Sequence, residues 1–429
     1  MKRFKWSMVI CLIILLGIKP VFAKDTIYSI NKYSEEKLEW IEKSYNENHK
    51  MDGMIVGGHL VRTVEEEKNK DILILKYKKN GVLDWTYTEE TEPEETIKSL
   101  NYTYDDENNI DGYLLTIEKD NNSTKSIQFL KLDLKGEIVW NVPSSLEDNI
   151  SIKKVIMNPF ENGYIAIAND SHNSYLISYD KEMNLKWKKD FQEERKIQFL
   201  DFVPLKEEGF VLVKQLIEED NTQKLVVSKV DQEGQNETII VKELEKQEQV
   251  SLLEKEEGFI LYGITPEVKL KAGDKSYFVI KYNSLGEEQW ESIGEVSIKG
   301  TKKIILREIE NEKGYYLLYK NQQDSSYEVM KLDSEGLFEK KVKKIINDYY
   351  DFENFLFHKD VLYFIGQITC PEDDNCDFDN NSLFLISDED KVIEVKDNDG
   401  TNILLGVGSF LTVIILIFFL RKRQKRKLN

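Results

Sequence analysis

A ten-residue pattern that returns along the whole chain limits what it can fold into. KYKKNGVLDW begins at Lys76, KLDLKGEIVW at Lys131, SYDKEMNLKW at Ser178 and KVDQEGQNET at Lys229. KYNSLGEEQW follows at Lys281, KLDSEGLFEK at Lys331 and a faded ISDEDKVIEV at Ile386, so successive starts lie 47 to 55 residues apart. Before each copy stands an apolar run such as DILIL, SYLIS, KLVVS or SYFVI, too short for a helix and rich in β-branched and aromatic residues. Such runs are strands buried on both faces. Further upstream comes a second recurring element: DGMIVGG at Asp52, DGYLLTI at Asp111, NGYIAIA at Asn162, EGFVLVK at Glu208, EGFILYG at Glu257 and KGYYLLY at Lys313, with a weak KDVLYFI at Lys359. Its leading pair reads as a turn entering a strand. Segments such as SIKKVIM and KIQFLDFV supply one strand more, so each unit is strand, turn, strand, loop, strand, tight turn, strand.

Units of four strands and near-constant length predict an all-β fold, a seven-bladed β-propeller over residues 24–396. Within the motif the sixth position is Gly81, Gly136, Gly234, Gly286 and Gly336 in five copies, which suits a hairpin turn needing positive φ. The third copy has Met183 followed by Asn184 instead. The third position is Asp133, Asp180, Asp231, Asn283, Asp333 and Asp388 in six copies, where a short side chain can cap the turn through its own backbone. The last position is Trp85, Trp140, Trp187 and Trp290 in four, and a large ring there is expected to fill the wedge between neighbouring blades. TIYSI at Thr26 lies outside the first unit and is expected to pair beside KVIEV of the seventh.

The pairing of DGGYIVVG-like strands with KYDxxGxxxW hairpins resembles the bacterial surface β-propeller repeats. It is also distantly similar to quinoprotein-like propeller repeats, whose blades end in an Asp-x-x-Thr-Gly-x-x-x-Trp hairpin. None of the seven copies carries the Thr-Gly pair and the chain has no adjacent cysteines. What the resemblance implies is therefore a fold, over roughly residues 37–396, and no cofactor.

The two ends predict a location. Basic MKRFKW, apolar SMVICLIILLGI and Val21-Phe22-Ala23 make residues 1–23 a signal peptide cleaved before Lys24. After a short linker at 397–402, residues 403–420 (ILLGVGSFLTVIILIFFL) form an uncharged apolar run long enough, at ~1.5 Å per helical residue, to cross the hydrocarbon core as a transmembrane helix. RKRQKRK in the tail 421–429 then stays on the cytoplasmic side. The expectation is a single-pass protein of the cell membrane with an extracellular body. The chain's net charge of −19 arises although signal and tail are purely basic, so the body is strongly acidic and repels nucleic acid. Low arginine with abundant lysine and asparagine matches an AT-rich bacterial genome.

Chemistry is thinly marked. HExxH, CxxC, GxxxxGK and GxSxG are absent, and His49, His59, His172 and His358 fall in different units without ligand spacing. Two functional classes follow: a recognition module whose propeller loops bind an extracellular protein, glycan or envelope component, and an exported propeller enzyme, either a quinoprotein-like dehydrogenase or a glycosidase or lyase. One loop, QITCPEDDNCDFDNN, stands apart. Cys370 and Cys376 are expected to form a local disulfide in an oxidising compartment. Asp373, Asn375, Asp377 and Asp379 alternate at the spacing a calcium loop uses, although Phe378 and Phe384 occupy the glycine and glutamate positions of an EF-hand. If their oxygens converge on calcium, calorimetry of the oxidised protein should give a heat of binding with a Kd of about 0.1–1 mM, the range of extracellular modules. Asp377→Ala should abolish that heat; equal heat in the variant, or none in either, would reduce the loop to a solvated connection.

Overall fold

The computed structural model describes residues 27–28 and 35–387, apart from short segments at 65–66, 80–81, 90, 122–123, 192–195, 207–208, 218–222, 236, 245–248, 267–274, 295–302, 310–312, 322–325, 347–349, 359–360 and 369–382. Every regular element among them is a β-strand. Blade 1 shows the pattern: Glu35–Tyr45, Met51–Val64, Glu67–Lys78 and Leu83–Thr88 pair in chain order, each antiparallel to the next. Blades 2 to 6 repeat it over residues 94–143, 151–191, 196–244, 249–293 and 304–346. First strands of neighbouring blades contact one another around an axis, while fourth strands such as Ile138–Pro143 lie mostly exposed at the rim.

The expectation of seven like blades followed by a transmembrane helix is corrected. Six blades are complete, each made of four consecutive strands. The remaining sheet is composite. Only Tyr350–His358, Val361–Ile368 and Leu383–Ser387 come from the last repeat, and the outer place is taken by Ile27–Tyr28, with Ile27 opposite Phe384 and Tyr28 opposite Leu383. The N-terminal segment thus pairs with the strand before KVIEV, and KVIEV itself lies outside the described residues. A physical reason is closure: backbone hydrogen bonds between the chain's two ends hold the last seam, where a sheet of consecutive strands would leave side-chain packing alone. As for the helix, no helix among the described residues is long and apolar enough to cross a membrane, and residues 403–420 lie outside them.

The core sits between the sheets. Ile55, Ile72 and Ile74 of blade 1 meet Ile97, Leu115 and Leu130 of blade 2, and Leu356 and Ile365 of the composite sheet meet Leu38, Ile41 and Val56 of blade 1. Burial of apolar residues on both faces explains the near-continuous hydrophobic second and third strands, such as GYIAIAN and SYLISY.

Four repeated positions acquire specific work. The Asp or Asn at motif position three caps its turn: Asp133 Oδ1 accepts the N–H groups of Lys135 (2.8 Å) and Glu137 (2.9 Å), and Asp180, Asn283 and Asp333 do likewise. The glycine of the second element is required by a close approach. A Cβ on Gly53, Gly112, Gly163, Gly209, Gly258 or Gly314 would collide with the carbonyl oxygen of Tyr77, Leu132, Tyr179, Val230, Tyr282 or Leu332, each the second residue of the motif. Trp85 and Trp290 do fill the wedge, each by lying on the next blade's turn. A Cβ on Gly136 would be 2.6 Å from the Trp85 ring, and one on Gly336 2.7 Å from Trp290. Lys76, 2 % exposed, crosses the same seam: its Nζ donates to the carbonyls of Tyr45 (2.9 Å) and Leu134 (3.2 Å) and pairs with Asp52 at 3.0 Å. Trp85 Nε1 also donates to Leu134 O, at 3.2 Å. Lys229 repeats the stitch onto Ser284 O (3.2 Å) of blade 5.

Gly136 therefore answers to two constraints, a φ of 83° and the ring above it. Gly136→Ala should cost about 2–4 kcal/mol, combining overpacking with a left-handed backbone that a Cβ disfavours. In a Trp85→Ala background the same change should cost only the backbone part, about 1 kcal/mol. Urea melts of the two single variants and the double variant measure the difference; strict additivity would refute the ring-on-turn contact.

Candidate ligand cleft between blades 2 and 3

The stitch is missing between blades 2 and 3. Between blades 2 and 3 the corresponding residues are Lys131, Trp140 and the turn Asp180–Asn184. Among the described hydrogen bonds, neither Lys131 Nζ nor Trp140 Nε1 reaches the carbonyl of Lys181, the residue equivalent to Leu134. The glycine position there is Met183, held at φ 63° and buried in the apolar cluster that also holds Phe129, Ile177 and Tyr179. A thioether side chain occupies the interface where glycine would admit the indole, and Trp140 is left half-buried at the edge of that cluster. Blade 3 has also lost the charged pair seen in its neighbours. Asp52–Lys76 and Asp111–Lys131 correspond to Asn162 and Ser178, a joint replacement that strands no charge.

The result is a cleft of about 680 Å³. Its walls are three turns, each shaped by its own side chains. In blade 2, Asp105 Oδ1 accepts the N–H groups of Glu107 (2.9 Å) and Asn109 (2.8 Å), which pushes Asp106 into solvent. In blade 3, buried Asn158 accepts the Phe160 N–H at 3.0 Å and presents Pro159, Phe160 and Glu161. The Phe160 ring is braced edge-on against Phe210 of blade 4, with centroids 5.3 Å apart. The capped Asp180 turn brings Lys181 and Glu182. Tyr164 and Trp140 complete the lining.

Five carboxylates line the cleft (Asp105, Asp106, Asp111, Glu161 and Glu182) against two ammonium groups. Lys131 pairs with Asp111 at 2.8 Å, while Lys181 reaches across the mouth to Asp106 at 3.4 Å. The backbone N–H of Asn109 holds the Asp105 carboxyl below the usual carboxylate range, so it is ionised at neutral pH. Burial, with the nearby Asp111 charge second, pushes the Tyr164 phenol up; its hydroxyl faces the Tyr102 carbonyl oxygen at 3.5 Å. The cleft can accept hydrogen bonds and positive charge and offers aromatic faces. A second recess, of about 600 Å³ between blades 4 and 5, is lined by Lys206, Glu256, Lys281 and other polar residues and has no ring in its wall.

Charges along the axis are paired between sheets: Lys154 with Asp201 (2.8 Å) and Lys37 with Glu353 (3.1 Å) across neighbouring sheets, and Arg307 of blade 6 with Glu42 of blade 1 (3.7 Å) past the composite sheet. The four histidines stay apart. His49 Nδ1 lies 3.2 Å from the Ile110 carbonyl oxygen, His59 is in Met51–Val64, His172 follows Ser171 in a hairpin of blade 3, and His358 ends its strand. Among the described residues no group of three His, Cys, Asp or Glu is placed to hold a metal ion. Asp373, Asn375, Asp377, Asp379, Cys370 and Cys376 lie outside the described residues. Reading the sequence missed the cleft; its signal was Met183 at the glycine position of one copy, whose effect falls on the blade before.

Because Trp140 lacks the indole hydrogen bond that Trp85 makes, Trp140→Ala should destabilise the fold less than Trp85→Ala, by about 1 kcal/mol, the net worth of a typical hydrogen bond. Equal losses in denaturant melts would mean that this seam is stitched after all.

No protein-family model matches the chain, and no curated protein sequence does. Among solved structures it is similar to the β-propeller domain of the Trilobed protease from Pyrococcus furiosus, with 10% identity and a TM-score of 0.46 over 80% of this chain and 92% of that one. It is also similar to the Dos1 propeller (12% identity, TM-score 0.47, 83% and 94% covered) and to the WD40 domain of SCAP from fission yeast (11%, 0.41, 85% and 98%). The propeller assignment itself rests on the sheets and seams of this chain.

Proposed function

We propose that the protein is a recognition module at the outer face of a cell membrane, and that the cleft between blades 2 and 3 takes its extracellular protein or glycan ligand. The observation that carries this reading is the opened seam. Where Lys76 and Trp85 of blade 1 close the gap onto Leu134 and Gly136 of blade 2, Lys131 and Trp140 of blade 2 line a cavity with carboxylates and rings. A rigid ring of sheets with a cleft set into this seam is a frame for presenting a site. The signal peptide at 1–23, the apolar run and the basic tail support the location.

Met157, on the cleft rim and exposed, is the place to ask. A photo-crosslinking amino acid there, in full-length protein on intact cells, should yield an adduct of discrete mass, while the same group at exposed Leu285 in blade 5 should yield none. Adducts at both sites, or at neither, would remove the cleft as the recognition site.

A further inference from the structure

The rim beside the cleft is unlike the rest of the rim. In every complete blade the fourth strand has only one paired edge, so its outer backbone groups are open to another strand. Such edges are normally guarded by charge. Just before the motif tryptophan, or its equivalent, a bulge leaves one residue unpaired: Asp84 in blade 1, Lys186 in blade 3, Gln289 in blade 5 and Glu339 in blade 6. Asp84, Lys186 and Glu339 each hold an ion pair, with Lys78, Glu161 and Lys331. In blade 2 the same position is Val139, 53 % exposed, next to Ile138, 54 % exposed. Among the six complete blades, Ile138–Pro143 (IVWNVP) is the fourth strand that carries no charged residue. It runs directly into Trp140, which lines the cleft.

We infer that this edge and the cleft form one site for an extended basic peptide segment of a partner protein. The segment adds as a fifth strand along Ile138–Pro143, sets an apolar side chain against Ile138 and Val139, and directs a lysine or arginine into the cleft. Strand addition supplies affinity through backbone hydrogen bonds, and the adjoining pocket supplies selectivity. Charge complementarity selects the basic side chain: five carboxylates stand against Lys131, Lys181 and, through its pair with Glu161, Lys186, and the rings of Trp140, Phe160 and Tyr164 attract a cation over their faces. The net charge of −19 favours the encounter with a cationic partner. This inference rests on the cleft being the recognition site and adds the class of ligand.

The probe is an eight-residue peptide alternating valine and lysine, labelled for fluorescence anisotropy against the purified full chain, beside a valine–glutamate peptide of equal length. The lysine peptide should bind, the glutamate peptide should not, and raising salt from 50 to 300 mM should weaken binding about tenfold. Glu182→Lys should weaken it by a similar factor. Val139→Asp is the decisive variant, because it restores the guarded edge of blade 1 while making the site more acidic: strand addition predicts weaker binding, and attraction of charge alone predicts tighter binding. Tighter binding by that variant, or equal binding of the two peptides, overturns the inference. So does self-association of the full chain that Val139→Asp disperses, which would assign the edge to a second copy. A sugar recovered in the Met157 adduct, with no binding of the lysine peptide, would also overturn it and leave the recognition reading standing.

Discussion

The fold depends on how each blade lies on the turn of the next. Four-stranded sheets that twist cannot stack around an axis without leaving wedge-shaped gaps at the turns, and here the gap is filled by an indole set over a residue without a side chain, as Trp85 is over Gly136. The contact costs the turn its freedom to carry a Cβ and gives the ring a fixed seat. A buried ammonium group, Lys76, is tolerated at the same place because two carbonyls and Asp52 surround it. The same few atoms thus fix the spacing of the sheets at the seams that carry them, and the apolar clusters fill the space between.

A seam that relies on so few groups can be reopened by few changes. Met183 and Asn162 belong to the third repeat, yet the cavity beside them is bounded by Lys131 and Trp140 of the second. No part of the core had to be emptied: Phe129, Ile152 and Ile177 remain buried beneath the cleft. The division of labour is between a tightly packed interior and a surface joint that is free to vary, which is how repeat architectures acquire individual sites.

Much of this was legible in the chain itself, and the reasons are local. Strand number per unit, the capping aspartates and the wedge-filling rings each follow from side chains acting within a few residues or from a repeated position of obvious bulk. Other features depend on what lies a blade away. The glycines of the second element looked like turn formers, but Gly53, Gly112 and Gly163 have no positive φ and are required by a neighbouring carbonyl. Met183 was visible as a departure, and only the three-dimensional neighbour shows that the departure concerns Trp140. The composite sheet was misjudged by one strand, because Ile27–Tyr28 could have lain beside either of two apolar segments and sequence spacing does not choose between them.

That composite sheet has a consequence for how the molecule is made. Its outer strand is among the earliest residues of the body to be synthesised, and its partner, Leu383–Ser387, is among the last. Contacts between such distant parts of a chain form late, after the loop between them has been organised. Six blades can assemble in order as they emerge, whereas the latch cannot shut until the final repeat is present. Until that moment the first and last sheets each offer an unsatisfied edge, and any helper that guards the emerging chain would have to act there.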